Sequence, residues 1–249
     1  LYMKIVKEKA RWVNIDSNFI FQLFIGLRSF IVNDVNSSLS GTQKWFHNHY
    51  NENPDPFIFD GNSNLYLDQA NNEIFRLCEN KRIIEIGAGH GSFYQYLVDK
   101  GISFEKYLGI DFASIERIFC ENSKIIIDDI RKIEDESIND FELVFASNSL
   151  CYIENLDEIP IISQSSCKHA IIIEPYGGFF WDRHFDGIKP KYRKPENLVE
   201  ELQSYGWGNF VICIQYVVTK PFYFWPISYT ISCEKNLHDF SSNIAYSPI

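Results

Sequence analysis

Cysteine pairs at metal-ligand spacing are missing from this 249-residue chain. Its six cysteines, Cys78, Cys120, Cys151, Cys167, Cys213 and Cys233, include no C-x-x-C, so neither a zinc signature nor a disulfide framework is indicated. Several fall in apolar runs, as buried reduced thiols do, and a cytoplasmic compartment is expected. A basic face is missing as well. The 23 Lys and Arg stand against 33 Asp and Glu, a formal net charge of −10, whereas a nucleic-acid footprint needs cations to neutralise phosphates. No nucleic-acid partner is therefore expected. The longest apolar stretch, residues 19–32, is interrupted by Gln22 and Arg28. It falls short of the roughly 20 apolar residues that span a bilayer, and no membrane partner is expected. No small-residue cleavage site makes it a secretory signal. The chain begins at Leu1, which reads as a missing or trimmed start, and it holds no internal repeat or low-complexity tract.

What is present begins at Arg82-Ile83-Ile84-Glu85-Ile86, an apolar strand that runs into Gly87-Ala88-Gly89-His90-Gly91. Glycine at alternate positions lets the backbone turn sharply and approach a ligand closely. Residues 92–100 have the pattern of a helix opening at that turn, and a helix N-terminus aimed at a ligand suits an anion or carboxylate. The nicotinamide fingerprint G-x-G-x-x-G requires a glycine three places after the second, where Ser92 stands, which disfavours an NAD-dependent oxidoreductase. Further apolar strands follow, each closed by polar residues. One ends at Asp111, the next in Asp128-Asp129, the next in Ser147-Asn148-Ser149, and the last in Glu174-Pro175. Ligands bind at the carboxyl ends of strands in open α/β sheets. Residues 192–205 read as a helix stopped by Gly206-Trp207-Gly208, and residues 210–218 and 227–233 as two β-rich runs.

This series resembles the class I S-adenosylmethionine-dependent methyltransferases over residues 81–236. The resemblance implies an α/β fold: a Rossmann-like, doubly wound, seven-stranded, mostly parallel sheet with an antiparallel terminal strand pair. The domain would occupy residues 63–249, preceded by an N-terminal helical lid over residues 1–62. It also implies S-adenosyl-L-methionine as cofactor, with the E-x-G-x-G-x-G loop of Glu85, Gly87, Ala88, Gly89 and Gly91 wrapping the methionine part. His90 would lie near the cofactor through its backbone. Asp111 would hold the ribose with Phe112 beside the adenine. Asp129 would hold the adenine amino group with Ile130 packing on the ring. Asp128 is the rival, because the family usually has glycine there. The segment from Ser147 to Tyr152 would lie under the reactive methyl group.

Upstream, residues 45–57 pair aromatics with Tyr50 and an Asp-Pro-aromatic run, which looks like the segment preceding the glycine loop in nodulation-type N-methyltransferases. Tyr50 is accordingly assigned to the cofactor. His47, His49 and Asp55 form too weak a pattern for a metal site, and none is expected. Phe19, Leu23, Leu27, Phe30 and Ile31 repeat at helical spacing, an amphipathic helix that packs on the domain or on the second subunit of a homodimer.

A sulfonium methyl is already activated, so the enzyme must chiefly align a nucleophile and exclude water. A hydroxyl acceptor also needs a base. His184 is the nominated base, with Asp182 or Asp186 as its orienter. Tyr152 is a candidate to touch substrate, and Phe179, Phe180 and Trp181 either line a pocket or cap the core. Base-methylating enzymes of this fold carry Asn/Asp-Pro-Pro-aromatic where this chain has Ser147-Asn148-Ser149-Leu150, and Cys151 lacks the Pro-Cys context of carbon methylators. A small-molecule acceptor remains: a sugar, amino sugar or secondary metabolite methylated on oxygen or nitrogen. The alternative is a catalytically inactive methyltransferase-like binding subunit whose aromatic lid is a partner surface.

Overall fold

A computed structural model describes residues 3–9, 67–68, 70–113, 125–133, 138–164, 167–176, 191, 193–219 and 223–235. The amphipathic helix expected at residues 19–31 and, apart from residues 3–9, the N-terminal helical lid expected over residues 1–62 lie outside them.

Alternation along each strand builds two cores at once, because successive side chains leave opposite faces of a sheet. In β2 (Arg82–Ile86) and β5 (Leu143–Ser147), Ile84, Ile86, Val144 and Ala146 point one way, while Ile83, Leu143 and Phe145 point the other. The first set packs with Ile172 of β6 (His169–Pro175). Ile161 and Ile162 of a short helix Pro160–Ser163 and Leu198 and Leu202 of a helix Pro195–Ser204 cover that set. The second set packs under Ile74 and Leu77 of α1 (Asn71–Cys78) and Phe93 and Leu97 of α2 (Ser92–Asp99). Two covered faces are why the central strands read as unbroken apolar runs. Each fully buried Ile, Leu or Phe contributes about 1.5–3 kcal/mol. With Pro160–Ser163 as α3, the helix Pro195–Ser204 is α4. It opens on Pro195 in its first turn, and the chain leaves it at Gly206 in the left-handed region at φ 84°, the usual start and stop for a helix.

The sheet order is β1-β7-β8-β6-β5-β2-β3-β4, with β1 Met3–Lys9, β3 Lys106–Asp111, β4 Ile125–Ile127, β7 Trp207–Thr219 and β8 Tyr223–Lys235. β2 to β6 run parallel, and β8 is antiparallel to both β6 and β7. The expected doubly wound sheet with its antiparallel terminal pair is present. An eighth strand, β1, extends the expected seven by pairing parallel to β7 at the sheet edge. Lys4, exposed on it, is typical of an edge strand protected from further pairing. Trp207 closes one core: it is buried, and its indole N–H donates to the Ile162 carbonyl at 2.9 Å. Among the described residues no helix is long and apolar enough to cross a membrane.

Candidate functional site

The carboxyl ends of five parallel strands meet along one edge, and the polar residues that follow them are held there mostly by backbone bonds. After β2 the chain turns through Gly87, Gly89 and Gly91, at φ 73°, 51° and 89°. These left-handed values are ones glycine adopts without steric penalty. Gly87 and Ala88 donate to the Ile110 carbonyl at 2.8 and 3.2 Å, which lays the loop against the end of β3. Gly91 then serves as N-cap of α2, and among the described residues no side chain caps that helix. Its first N–H groups have no partner within the helix, and its positive dipole end faces the loop.

Asp111 closes β3 and is 7 % exposed. One carboxylate oxygen accepts from the Gly89 N–H at 2.7 Å and the other from the Ala113 N–H at 2.8 Å. The acid is thereby oriented by backbone before any ligand arrives. Glu85 lies one step inside β2, is 4 % exposed, and accepts a short hydrogen bond from the Tyr107 hydroxyl. Gly109, between these, permits the close fit of loop on strand: a Cβ there would sit 2.6 Å from the Ala88 Cβ. Tyr107→Phe is expected to lower stability by about 1–3 kcal/mol, since the buried Glu85 carboxylate loses a donor. Urea unfolding of the two proteins measures it.

Beyond β4, Asp128 accepts from the Asp129 N–H at 2.7 Å, and its own N–H donates to the Asp111 carbonyl at 3.0 Å. Asp129 caps the short turn Ile130–Lys132 and takes the guanidinium of Arg131 at 2.6 and 2.9 Å. The hydrogen bonds from Arg131 hold its carboxyl below the usual carboxylate range. Ile130 packs half-buried against the core. After β5, Ser147 and Asn148 lead into a 3-10 turn, Leu150–Tyr152. Asn148 has φ 51° and donates its N–H to the Ile173 carbonyl at 2.8 Å. A non-glycine residue in that region is uncommon and marks a constrained turn.

Glu85, the glycine loop, Asp111, Phe112, Asp129, Ile130, Ser147 and Tyr152 thus belong to the ends of adjacent strands on one edge. Tyr50, Asp182 and His184 lie outside the described residues, as do His47, His49, Asp55, Phe179, Phe180, Trp181 and Asp186. Three further residues were not assigned to the site from sequence: Gly109, Glu174 and Arg193. Glu174 is buried at the end of β6 and binds the Ser149, Leu150 and Cys151 amides. Arg193 is buried beside the same turn. The one signal in the sequence was an acid closing an apolar strand. Cys151 is buried, and desolvation pushes its thiol well above the ordinary range, the property of an inert cysteine.

No family model and no curated protein sequence matches the chain. Solved structures do. A SAM-dependent methyltransferase from Archaeoglobus fulgidus is 19 % identical with a TM-score of 0.54, covering 77 % of this chain and 99 % of that one. The Burkholderia thailandensis 1,6-didemethyltoxoflavin-N1-methyltransferase, with bound 1,6-didemethyltoxoflavin and S-adenosylhomocysteine, is 11 % identical with a TM-score of 0.58, covering 82 % and 93 %. The small RNA methyltransferase HEN1 is 12 % identical with a TM-score of 0.53, covering 73 % of this chain and 26 % of that one. The chain has the fold of the class I S-adenosylmethionine-dependent methyltransferases. Acceptors in this group range from a small heterocycle to RNA, so the acceptor is a matter for the site and not for the fold.

Proposed function

We propose that the chain, which carries this fold, is an S-adenosylmethionine-dependent methyltransferase acting on an oxygen or nitrogen of a small molecule, in the class of sugars, amino sugars or secondary metabolites. One observation carries the reading: a glycine loop opening an uncapped helix, with the Asp111 carboxylate fastened to the middle of that loop through the Gly89 N–H. The fit of the cofactor rests on room as well as on polar groups. A Cβ added at Gly89 would meet no atom of the described residues within 4 Å, so among those residues the loop has open space over its centre.

Gly87 to Gly91 would hold the methionine part, Asp111 the ribose hydroxyls, and Phe112, Asp129 and Ile130 the adenine. Bound there, the cofactor supplies an already activated methyl group. The protein's share is alignment and exclusion of water. Tyr152, half-buried on the turn after β5, is the described residue assigned to meet the acceptor. His184, oriented by Asp182, is assigned the proton of a hydroxyl acceptor. The net charge of −10 supports an acceptor without a phosphate backbone.

The test is a thermal melt with S-adenosylhomocysteine, S-adenosylmethionine or NAD. A ligand at about a hundred times its dissociation constant adds about 2.7 kcal/mol, an upward shift of about 5 to 11 °C at this chain length. The shift is expected with the two sulfur ligands, absent with NAD, and lost in Asp111→Ala. A flat response to both sulfur ligands, or an unaffected Asp111→Ala, would sink the assignment.

A further inference from the structure

Glu174, next to the last residue of β6, is 3 % exposed, yet its carboxylate faces backbone and not solvent. One oxygen accepts the Ser149 and Leu150 N–H groups at 3.1 and 2.8 Å, and the other accepts Cys151 N–H at 3.1 Å. Three successive amides donating to one carboxylate cap the positive end of the turn Leu150–Tyr152. Arg193, 6 % exposed, takes the opposite end: its guanidinium donates to the carbonyls of Leu150, Ile153 and Glu154, each at 2.9 Å. Its Nε donates to Glu201 at 2.9 Å. The turn is therefore gripped between an anion on its N–H side and a cation on its C=O side. Ser149 passes this on to the glycine loop. Its Oγ donates to the Ile86 carbonyl at 2.9 Å, and its Cβ fills the space a side chain at Gly87 would need.

Resting on the methyltransferase reading, we propose that Glu174 is a positioning residue which, with Arg193, fixes residues 149–152 and, through Ser149, the glycine loop in the arrangement that receives the methyl donor. The ionised carboxylate accepts these three N–H groups best, because protonation places a donor on one oxygen and weakens that oxygen as an acceptor. Burial raises Glu174 from 4.5 to about 7, against the lowering effect of the turn's amides and Arg193. The groups facing it are the Cys151 thiol on the turn, Arg193 ahead of α4, and Tyr229 on β8, with Glu196 and Glu201 on α4 beyond. Burial raises both the thiol and the Tyr229 phenol well above their ordinary values, so neither of them ionises between pH 5 and 8.

Two pH dependences of opposite sign follow. The folded protein binds a proton at Glu174 more tightly than the unfolded chain does. This group's contribution to stability is therefore fully present below pH 4.5 and is lost as pH rises to about 7. The grip on the turn moves the other way and strengthens as the carboxylate ionises. A residue that merely supported the fold would not separate the two.

The experiment follows amide hydrogen exchange at residues 149–151, and S-adenosylhomocysteine affinity by calorimetry, from pH 5.5 to 8.5 in the wild type and Glu174→Gln. In the wild type, protection at 149–151 relative to Val144 and Ala146 is expected to rise about tenfold as pH passes 7, in step with affinity. In Glu174→Gln both are expected to be low and flat, and the acid-side stability slope to flatten. Protection that responds neither to pH nor to the substitution overturns the proposal, as does an affinity in Glu174→Gln that keeps the wild-type pH profile. The wild-type titration stands even where the variant folds poorly. A wild type that shows the exchange response but binds no S-adenosylhomocysteine overturns the methyltransferase reading and leaves the positioning of the turn upheld.

Discussion

Gly87→Ala is expected to abolish S-adenosylhomocysteine binding and to lower stability by about 2–5 kcal/mol, a fall of roughly 4–20 °C in melting temperature. Two penalties combine. At φ 73° an alanine sits in the left-handed region at a cost of about 1–2 kcal/mol. Its Cβ would also lie 2.5 Å from the Ser149 Cβ and 3.2 Å from its Oγ, an overlap of the kind that costs about 1–3 kcal/mol in a packed site. Ser149 has no easy retreat, since its Oγ is bonded to Ile86 and its N–H to Glu174. Gly89→Ala is the control. It shares the positive φ, at 51°, but its Cβ meets no atom of the described residues within 4 Å, so the backbone penalty is the one that applies. That variant is expected to melt about 2–8 °C below the wild type and still to bind ligand weakly, because the new methyl group enters the space over the loop. Equal melting temperatures for Gly87→Ala and the wild type would show that the loop does not rest on Ser149.

The parts of this site that could be read in the sequence are those whose chemistry is carried by residue type. Glycine at alternate positions and an acid closing an apolar strand signal themselves, and both elements stand where expected, the loop at 87–91 and Asp111 at the end of β3. Glu174 shows itself only as an acid closing β6 and Arg193 not at all; the roles of both stay hidden because their partners are backbone amides and carbonyls on other elements, and a backbone group leaves no mark in a residue pattern. Asp129 shows a third case: its carboxylate is engaged by Arg131, two residues on, a local pairing visible in the sequence only once the turn between them is known.

The fold divides in the same way. Strands buried on both faces betray themselves as apolar runs. β1, with Met3 and Ile5 exposed at 45 % and 53 % and its pairing partner at the far end of the chain, has neither an apolar face nor a neighbouring turn to reveal it. The helix expected from residue 192 begins at Pro195: the residue before a proline is driven to extended backbone, and Lys194 has ψ 151°. β8 extends back past Pro226, which sits opposite Tyr216 at a register shift, a place where a strand tolerates proline.

Arg193→Ala is expected to destabilise the protein by about 3–5 kcal/mol at pH 8, since it breaks the ion pair with Glu201, leaves three carbonyls unsatisfied and removes a positive charge that acts on the buried Glu174 carboxylate. The guanidinium satisfies three carbonyls and Glu201 from a position 6 % exposed, and alanine replaces none of those bonds. Lowering the pH should soften the loss, because the Glu174 that remains can take up a proton and no longer needs a counter-charge. Substituting the acid should soften it by the same logic. In a Glu174→Gln background, Arg193→Ala is expected to cost about 1–3 kcal/mol less than in the wild type, the coupling typical of residues in one polar network. Chemical unfolding of the four proteins at pH 8 measures that difference directly. Identical costs in the two backgrounds would mean that the guanidinium serves the carbonyls and Glu201 alone, and that the two grips on the turn after β5 act independently.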